Sequence, residues 1–375
     1  MSKYAKLING IISNSMGGSV RDKIICVAAH VNSREFTEQL VTAITKKGGV
    51  PIINWMFDTA RVAGVESPRF INFATERQFM IKARQSEQFL KTVDAHIRIY
   101  ADEDLYIGHD IDRRRQRLWR KFYMPIWNKN VINAKPWVLL YYPSASMAGR
   151  FGMSVKQYED FWLRVCSLDY NKMDRAMEPL KRLMEKTDRV RIFAKNGTDL
   201  TFSIKGQKAV KCGAQCNIPD GEVFAAPVKN SINGTVQFNT SLDYLGIPYR
   251  NIRLTFKDGK IVSARSEINN NRLKDLLDSD AGARYAGEFA LGVNPRITKC
   301  YGDILFDEKI NGSFHIAAGN AYDESPNGNA SQIHFDMIQI QTKEFGGGEI
   351  WFDDKLIRKD GKFIPKELKP LNKLK

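Results

Sequence analysis

Apolar and polar positions over residues 20–190 switch repeatedly between the spacing of a strand and that of a helix. Residues 22–29 (DKIICVAA) form a short β-branched run that predicts a buried strand. Asn32 can cap a following helix, with Glu35 three residues on. Phe36, Leu40, Val41 and Ile44 share one helical face, and Gly48-Gly49 can end it. Residues 51–55 read as the next strand. The pattern continues with a helix over 76–91, a strand over 95–100, a basic helix over 113–123 and a strand over 137–142 (WVLLYY). Helices over 155–168 and 173–186 follow. Alternation at this spacing predicts a mostly parallel sheet covered by helices.

Near residue 190 the period changes. Gly, Asn and Asp punctuate short alternating segments, among them 198–204 (TDLTFSI). Segments 252–256 and 260–264 flank Asp258-Gly259, a hairpin signal. Residues 350–353 and 355–358 read as a second β pair, with Asp360-Gly361 turning into a last short strand. Only 272–285 keeps a helical spacing. The expected organisation is an α/β domain with a mostly parallel sheet over 1–190, then a β-rich α+β domain over 191–375.

Composition alters this picture little. The 375 residues are 43% hydrophobic and 26% charged, which excludes disordered, collagen-like and low-complexity architectures. Five unevenly placed cysteines exclude a disulfide-stapled secreted domain. With neither a membrane-length apolar run nor a signal-like N-terminus, a reduced, cytoplasmic protein is expected. Charge is the outlier, 57 Lys and Arg against 42 Asp and Glu for a net +15. Its densest source is 112–121 (DRRRQRLWRK). There Leu118 and Trp119 are expected to pack inward while the arginines stay solvated. No RNA- or DNA-binding motif accompanies that run, so a nucleic-acid partner is not expected.

Candidate chemistry gathers in the second half. His334 and Asp336 sit two apart in an apolar strand pattern, so both point to one face while Ile333, Phe335 and Met337 take the other. His315 stands between Phe314 and Ile316, ahead of small residues. Glu222 (DGEVFAA) and Glu288 (AGEFALG) lie among apolar neighbours, where an isolated carboxylate costs several kcal/mol to bury and calls for a cation. Taken singly, each also fits a structural histidine or a solvated edge carboxylate. Together, carboxylates and imidazoles without cysteine fit divalent ions of borderline or hard character. His30, His96 and His109 belong to no such pattern and read as structural. Cys212 and Cys216 lack the second pair a zinc knuckle needs, and Gly346-Gly347-Gly348 reads as a turn.

Five ordered stretches carry these residues: GTDLTFSIKG (197–206), NIPDGEVFAAPV (217–228), GEFALGVNP (287–295), LFDEKINGSFHIAAGNAY (305–322) and SQIHFDMI (331–338). In them the sequence resembles the M29 family of metal-dependent aminopeptidases, the aminopeptidase T and S group. Fainter similarity runs back through 152–170. The resemblance implies two divalent ions (zinc, cobalt or manganese) in the β-rich domain and hydrolysis of N-terminal residues from peptides with a free N-terminus. It further implies a homodimer. Carried over residue by residue, Glu222 matches a ligand and Glu288 the bridging carboxylate. His315, His334 and Asp336 match the remaining core ligands, and Glu308 a further one. Tyr322 matches a tyrosine that ligates a metal or hydrogen-bonds the transition state. An unliganded oxygen of Glu222 or Glu288 is the candidate proton acceptor. Phe335, Ala318 and the loop DESPNGN (323–329) depart from the family pattern. The alternative is a mononuclear Fe(II) ring-cleaving dioxygenase of the dihydroxypyridine type on the same fold. It would use His315, His334 and Asp336 and would not need Glu222 and Glu288, whose presence favours the hydrolase.

Overall fold

The computed structural model describes residues 2–57, 67–101 and 111–374; His109 lies outside them. Two compact units emerge, Met1–Leu168 with Ala214–Ile218, and Asp169–Gly213 with Pro219–Lys375.

The first unit is built on five parallel strands in the order Val50–Met56, Ile24–His30, Ala95–Tyr100, Trp137–Tyr141, Asn217–Ile218. Helices Arg34–Lys46, Glu76–Thr92 and Arg113–Trp127 lie in the crossovers between successive strands. Asn32 does not cap the first helix. The backbone N–H of Asn32 donates to His30 Nδ1 at 3.3 Å, and a 3-10 turn over Val31–Ser33 precedes the helix. His30 is thereby structural, as is His96, buried with its ring edge-on to Trp127 at 4.9 Å. Thr75 with Gln78, and Ser154 with Gln157, form capping boxes at Glu76–Thr92 and Val155–Cys166.

In the basic run, Trp119 is fully buried between Phe79 and Tyr123, and Leu118 packs beside it. Arg114, Arg117, Arg120 and Lys121 are exposed. Arg115 departs from the expected solvated face. Its guanidinium donates to the carbonyls of Ile71 and Ala74, closing the end of helix Pro68–Phe73.

The second unit begins with helix Tyr170–Lys186, N-capped by Asp169. Its apolar stripe of Tyr170, Met173, Met177, Leu180 and Met184 is buried, and the helix packs on strands Val210–Cys212 and Glu222–Ala225. That packing puts the unit's first residue at Asp169, about twenty residues ahead of the change of period. An eight-stranded antiparallel sheet includes the Asp258-Gly259 hairpin, whose two turn residues take φ +49° and +80°, as a type I′ turn requires. The helix expected over 272–285 ends at Leu277, because the Asp280 carboxylate accepts the N–H groups of Gly282 and Ala283 and turns the chain.

A second antiparallel sheet carries the candidate residues. Its order is His334–Ile340, Ser313–Gly319, Ala286–Gly292, Glu222–Ala225, Val210–Cys212. The strand over 313–319 is buried along its whole length. One irregularity matters: the register slips between Ala286 and Glu288, leaving Gly287 as an extra residue in a bulge. A Cβ on Gly287 would stand 2.1 Å from the Asn320 carbonyl oxygen.

Candidate metal centre

Adjacent antiparallel strands bring residues distant in sequence face to face, and here the bulge turns Glu288 toward two histidines. The strand of Glu288 lies between those of Glu222 and His315, and the strand of His334 follows. Glu288 is 3% exposed, with Oε1 at 3.3 Å from His315 Nε2 and Oε2 at 3.2 Å from His334 Nε2. His315 Nε2 also stands 3.7 Å from Glu222 Oε2 and 3.9 Å from Asp336 Oδ1. His334 Nε2 lies 3.3 Å from that same Asp336 oxygen. The other ring nitrogen of His334, Nδ1, is 2.8 Å from the carbonyl of Asn320, to which it donates in the tautomer that leaves Nε2 free to ligate. The apolar side of this strand, Phe335 and Met337, is fully buried, as the alternation predicts.

Tyr322 reaches the group by its ring, 4.5 Å from that of His334 and edge-on to Phe224. It is 43% exposed and forms the rim. Glu308 follows the short helix Ile304–Asp307 and lies within 4.8 Å of ligand atoms of His315 and Asp336. All seven residues singled out from sequence therefore stand in one place.

Three buried groups escaped the sequence reading. Lys309 is 1% exposed, and its Nζ lies 2.5 Å from Glu222 Oε1, 2.6 Å from Glu308 Oε1 and 3.4 Å from Asp220 Oδ1. Asp220 is the second, 1% exposed, with its carboxylate accepting the Gly221 N–H. Asp307 is the third. It accepts from the backbone of Tyr301 and Gly302 and from the Cys300 thiol, so the first acid of the Asp307-Glu308 pair braces a loop.

The electrostatics are those of a nest of anions. Burial drives the Glu222 carboxyl upward, opposed chiefly by Lys309. Burial also pushes on Glu288, but hydrogen bonds from His315 and His334 outweigh it and hold its carboxyl well below the usual range. Glu308 is raised to about 7, by burial first, with Lys309 opposing and Glu222 and Asp336 adding. Burial alone would lower His315, yet Glu288 and Glu222 carry it up to about 9.

A divalent ion fits these residues. Glu222 Oε2 and Asp336 Oδ1 are buried carboxylate oxygens with no hydrogen-bond partner, a costly arrangement unless a cation completes it. The ligand atoms form three overlapping groups, Glu222–Glu288–His315, Glu288–His334–Asp336 and Glu308–His315–Asp336. Cys212, Asp220 and Glu222 form a further group, but the Lys309 ammonium already contacts both of its carboxylates. Burial, then the charges of Glu222 and Asp220, also push the Cys212 thiol far up, away from the thiolate a metal needs.

Comparison with known proteins gives the family. The model of a family described as thermophilic metalloprotease (M29) matches residues 1–363. Aminopeptidase AmpS of Bacillus subtilis is 27% identical over 356 residues, 86% of this chain and 84% of that protein. Aminopeptidase T of Thermus thermophilus is 37% identical over 181 residues, covering 41% of this chain and 44% of its own. Among solved structures, wild-type AmpT from Thermus thermophilus aligns with a TM-score of 0.80 at 19% identity, over 97% of this chain and 99% of that one. A 2,5-dihydroxypyridine dioxygenase from Pseudomonas putida KT2440 aligns less closely, with a TM-score of 0.64 at 13% identity over 98% and 99%. These two likenesses concern the fold, and the AmpT match agrees with a parallel α/β sheet followed by antiparallel sheets. The ring-cleaving alternative is not favoured.

Proposed function

Because the chain belongs to the thermophilic metalloprotease (M29) family, we propose that the nest centred on Glu288 removes N-terminal residues from peptides. The protein is a metal-dependent aminopeptidase, and the reading goes further in assigning two divalent ions, zinc, cobalt or manganese. One observation carries it: two three-residue ligand groups share Glu288, which is what a bridging carboxylate requires. Glu222, Glu288 and His315 would hold one ion, and Glu288, His334 and Asp336 the other. Ions bound there would supply Lewis-acid polarisation of the scissile carbonyl and an acidified water.

The remaining work falls to the chain's own groups. Glu222 has Oε1 on Lys309 and its unpartnered Oε2 aimed at the ion it would hold, and both oxygens of Glu288 would be shared between the two ions, so neither carboxylate would keep an oxygen for proton transfer. Glu308 does, since only its Oε1 is engaged by Lys309. Its side chain, 16% exposed, is open to the rim. It therefore suits the transfer of a proton from water to the leaving amine better than Glu222 or Glu288. The ligand role that the family resemblance implies for Glu308 is proposed beside it, since its carboxylate lies within 4.8 Å of ligand atoms of His315 and Asp336. Tyr322, at the rim, would steady His334 with its ring and donate its hydroxyl to the oxyanion. A nearby carboxylate would receive the peptide's free amine, which would restrict cleavage to the first residue. The five free cysteines support a cytoplasmic setting, and a homodimer is proposed on the family resemblance.

Chelator-stripped protein should lose turnover of a leucine or arginine nitroanilide and regain it with zinc, cobalt or manganese. The N-acetylated substrate should remain uncleaved. Restoration by ferrous iron with oxygen alone, or equal cleavage of the blocked substrate, would overturn the assignment.

A further inference from the structure

Lys309 is the only cationic side chain that a salt-bridge distance links to the carboxylates of the nest, among the described residues and histidines aside. At 1% exposure it cannot be a solvated surface lysine. Burying an ammonium without partners costs several kcal/mol, so its place must be repaid locally by the three acids it touches. Each contact has a directional consequence. Glu222 is gripped through Oε1, and its other oxygen is left unpartnered and facing His315. Glu308 is gripped through Oε1 as well. Asp220, whose carboxylate also accepts the Gly221 N–H, anchors the ammonium from the far side.

We propose that Lys309 is a positioning residue, a resident cation that limits Glu222 to one ligating oxygen and closes the Cys212–Asp220–Glu222 corner to metal. The inference rests on the two-ion reading above and deepens it. Charge supports it. Asp220, Glu222, Glu288, Glu308 and Asp336 bring five negative charges, while Lys309 with two divalent ions brings five positive ones. Without Lys309 the same two ions leave an uncompensated buried charge beside Glu222. Glu222 could then swing to chelate through both oxygens, or Asp220 could compete for the ion. Lysine is suited to the task because its ammonium is a compact charge with three donors, one for each carboxylate.

The test is isothermal titration of metal-stripped protein with Mn2+ and, separately, Zn2+, with elemental analysis of the loaded chain. Wild type should take up two ions. Lys309→Met and Lys309→Gln should weaken uptake of one ion by about 10–100-fold, the size expected when a group that orients a ligand is lost. Lys309→Arg should recover most of that loss because charge and donors return. Should Lys309→Met fail to fold, the Gln variant, which loses the charge but keeps two donors on a shorter stem, decides with the Arg variant. Wild-type stoichiometry and affinity in Lys309→Gln, or an Arg variant no better than Gln, would overturn the role of Lys309 and leave the two-ion site standing. A wild-type chain that binds no divalent ion would overturn both.

Discussion

Glu288→Gln should reduce kcat/KM on a leucine nitroanilide by roughly a thousandfold or more, with loss of both ions. The size follows from where Glu288 sits. Its two oxygens face two different imidazoles, at 3.3 and 3.2 Å, and it is shared by two of the ligand groups. An amide of the same shape keeps the packing of this 3% exposed side chain but removes the charge. It also turns one of the two acceptors into a donor that meets an imidazole nitrogen. Changes to residues that only orient ligands typically weaken metal binding 10–100-fold, and losing a shared ligand should exceed that. Circular dichroism should report a folded protein, since the surrounding strands are untouched. Wild-type turnover with two ions per chain would remove Glu288 from the centre of the mechanism.

Gly287→Ala should lower stability by about 3 kcal/mol, near the upper end for overpacking a tight site. In a unit of this size that is a fall in Tm of roughly 6–12 °C. The new Cβ would meet the Asn320 carbonyl at 2.1 Å and the Gly319 carbonyl at 2.7 Å, both backbone atoms with nowhere to yield. Asn320 is also the residue whose carbonyl holds His334 Nδ1. The strain therefore falls on a ligand's orientation as well as on the bulge that aims Glu288. Thermal unfolding and metal content measured together should show both losses. A Tm within 2 °C of wild type would mean that the bulge relaxes freely and does not set the site.

These effects arise at positions with unequal visibility in the sequence. Strand alternation around His334 and Asp336 placed both on one face because a period of two admits one solution beside a buried Phe335 and Met337. The apolar settings of Glu222 and Glu288 were equally legible, since a carboxylate among Val, Phe and Ala needs a counter-charge wherever it folds. Lys309 was not. Its main partner, Glu222, is 87 positions away, and nothing local distinguishes a lysine that turns inward from one that faces water. The Gly287 bulge is equally a property of strand pairing. In the first unit, strand Asn217–Ile218 is two residues long, too short to carry a period, yet it returns the chain to the parallel sheet. Segment 173–186 reads as a helix, and the helix spans Tyr170–Lys186, but a helical spacing does not say which sheet it will cover. At the first crossover, His30 took the capping role that composition assigned to Asn32, because the Ser33 hydroxyl donates to the His30 carbonyl and fixes the turn one residue later.

Anomalous diffraction from crystals of the full chain grown with manganese or zinc tests the central claim most directly. Two peaks should appear roughly 3.5–4 Å apart, with Glu288 between them, Glu222 and His315 on one and His334 and Asp336 on the other. A single peak held by His315, His334 and Asp336, with Glu222 and Glu288 turned away, would contradict it.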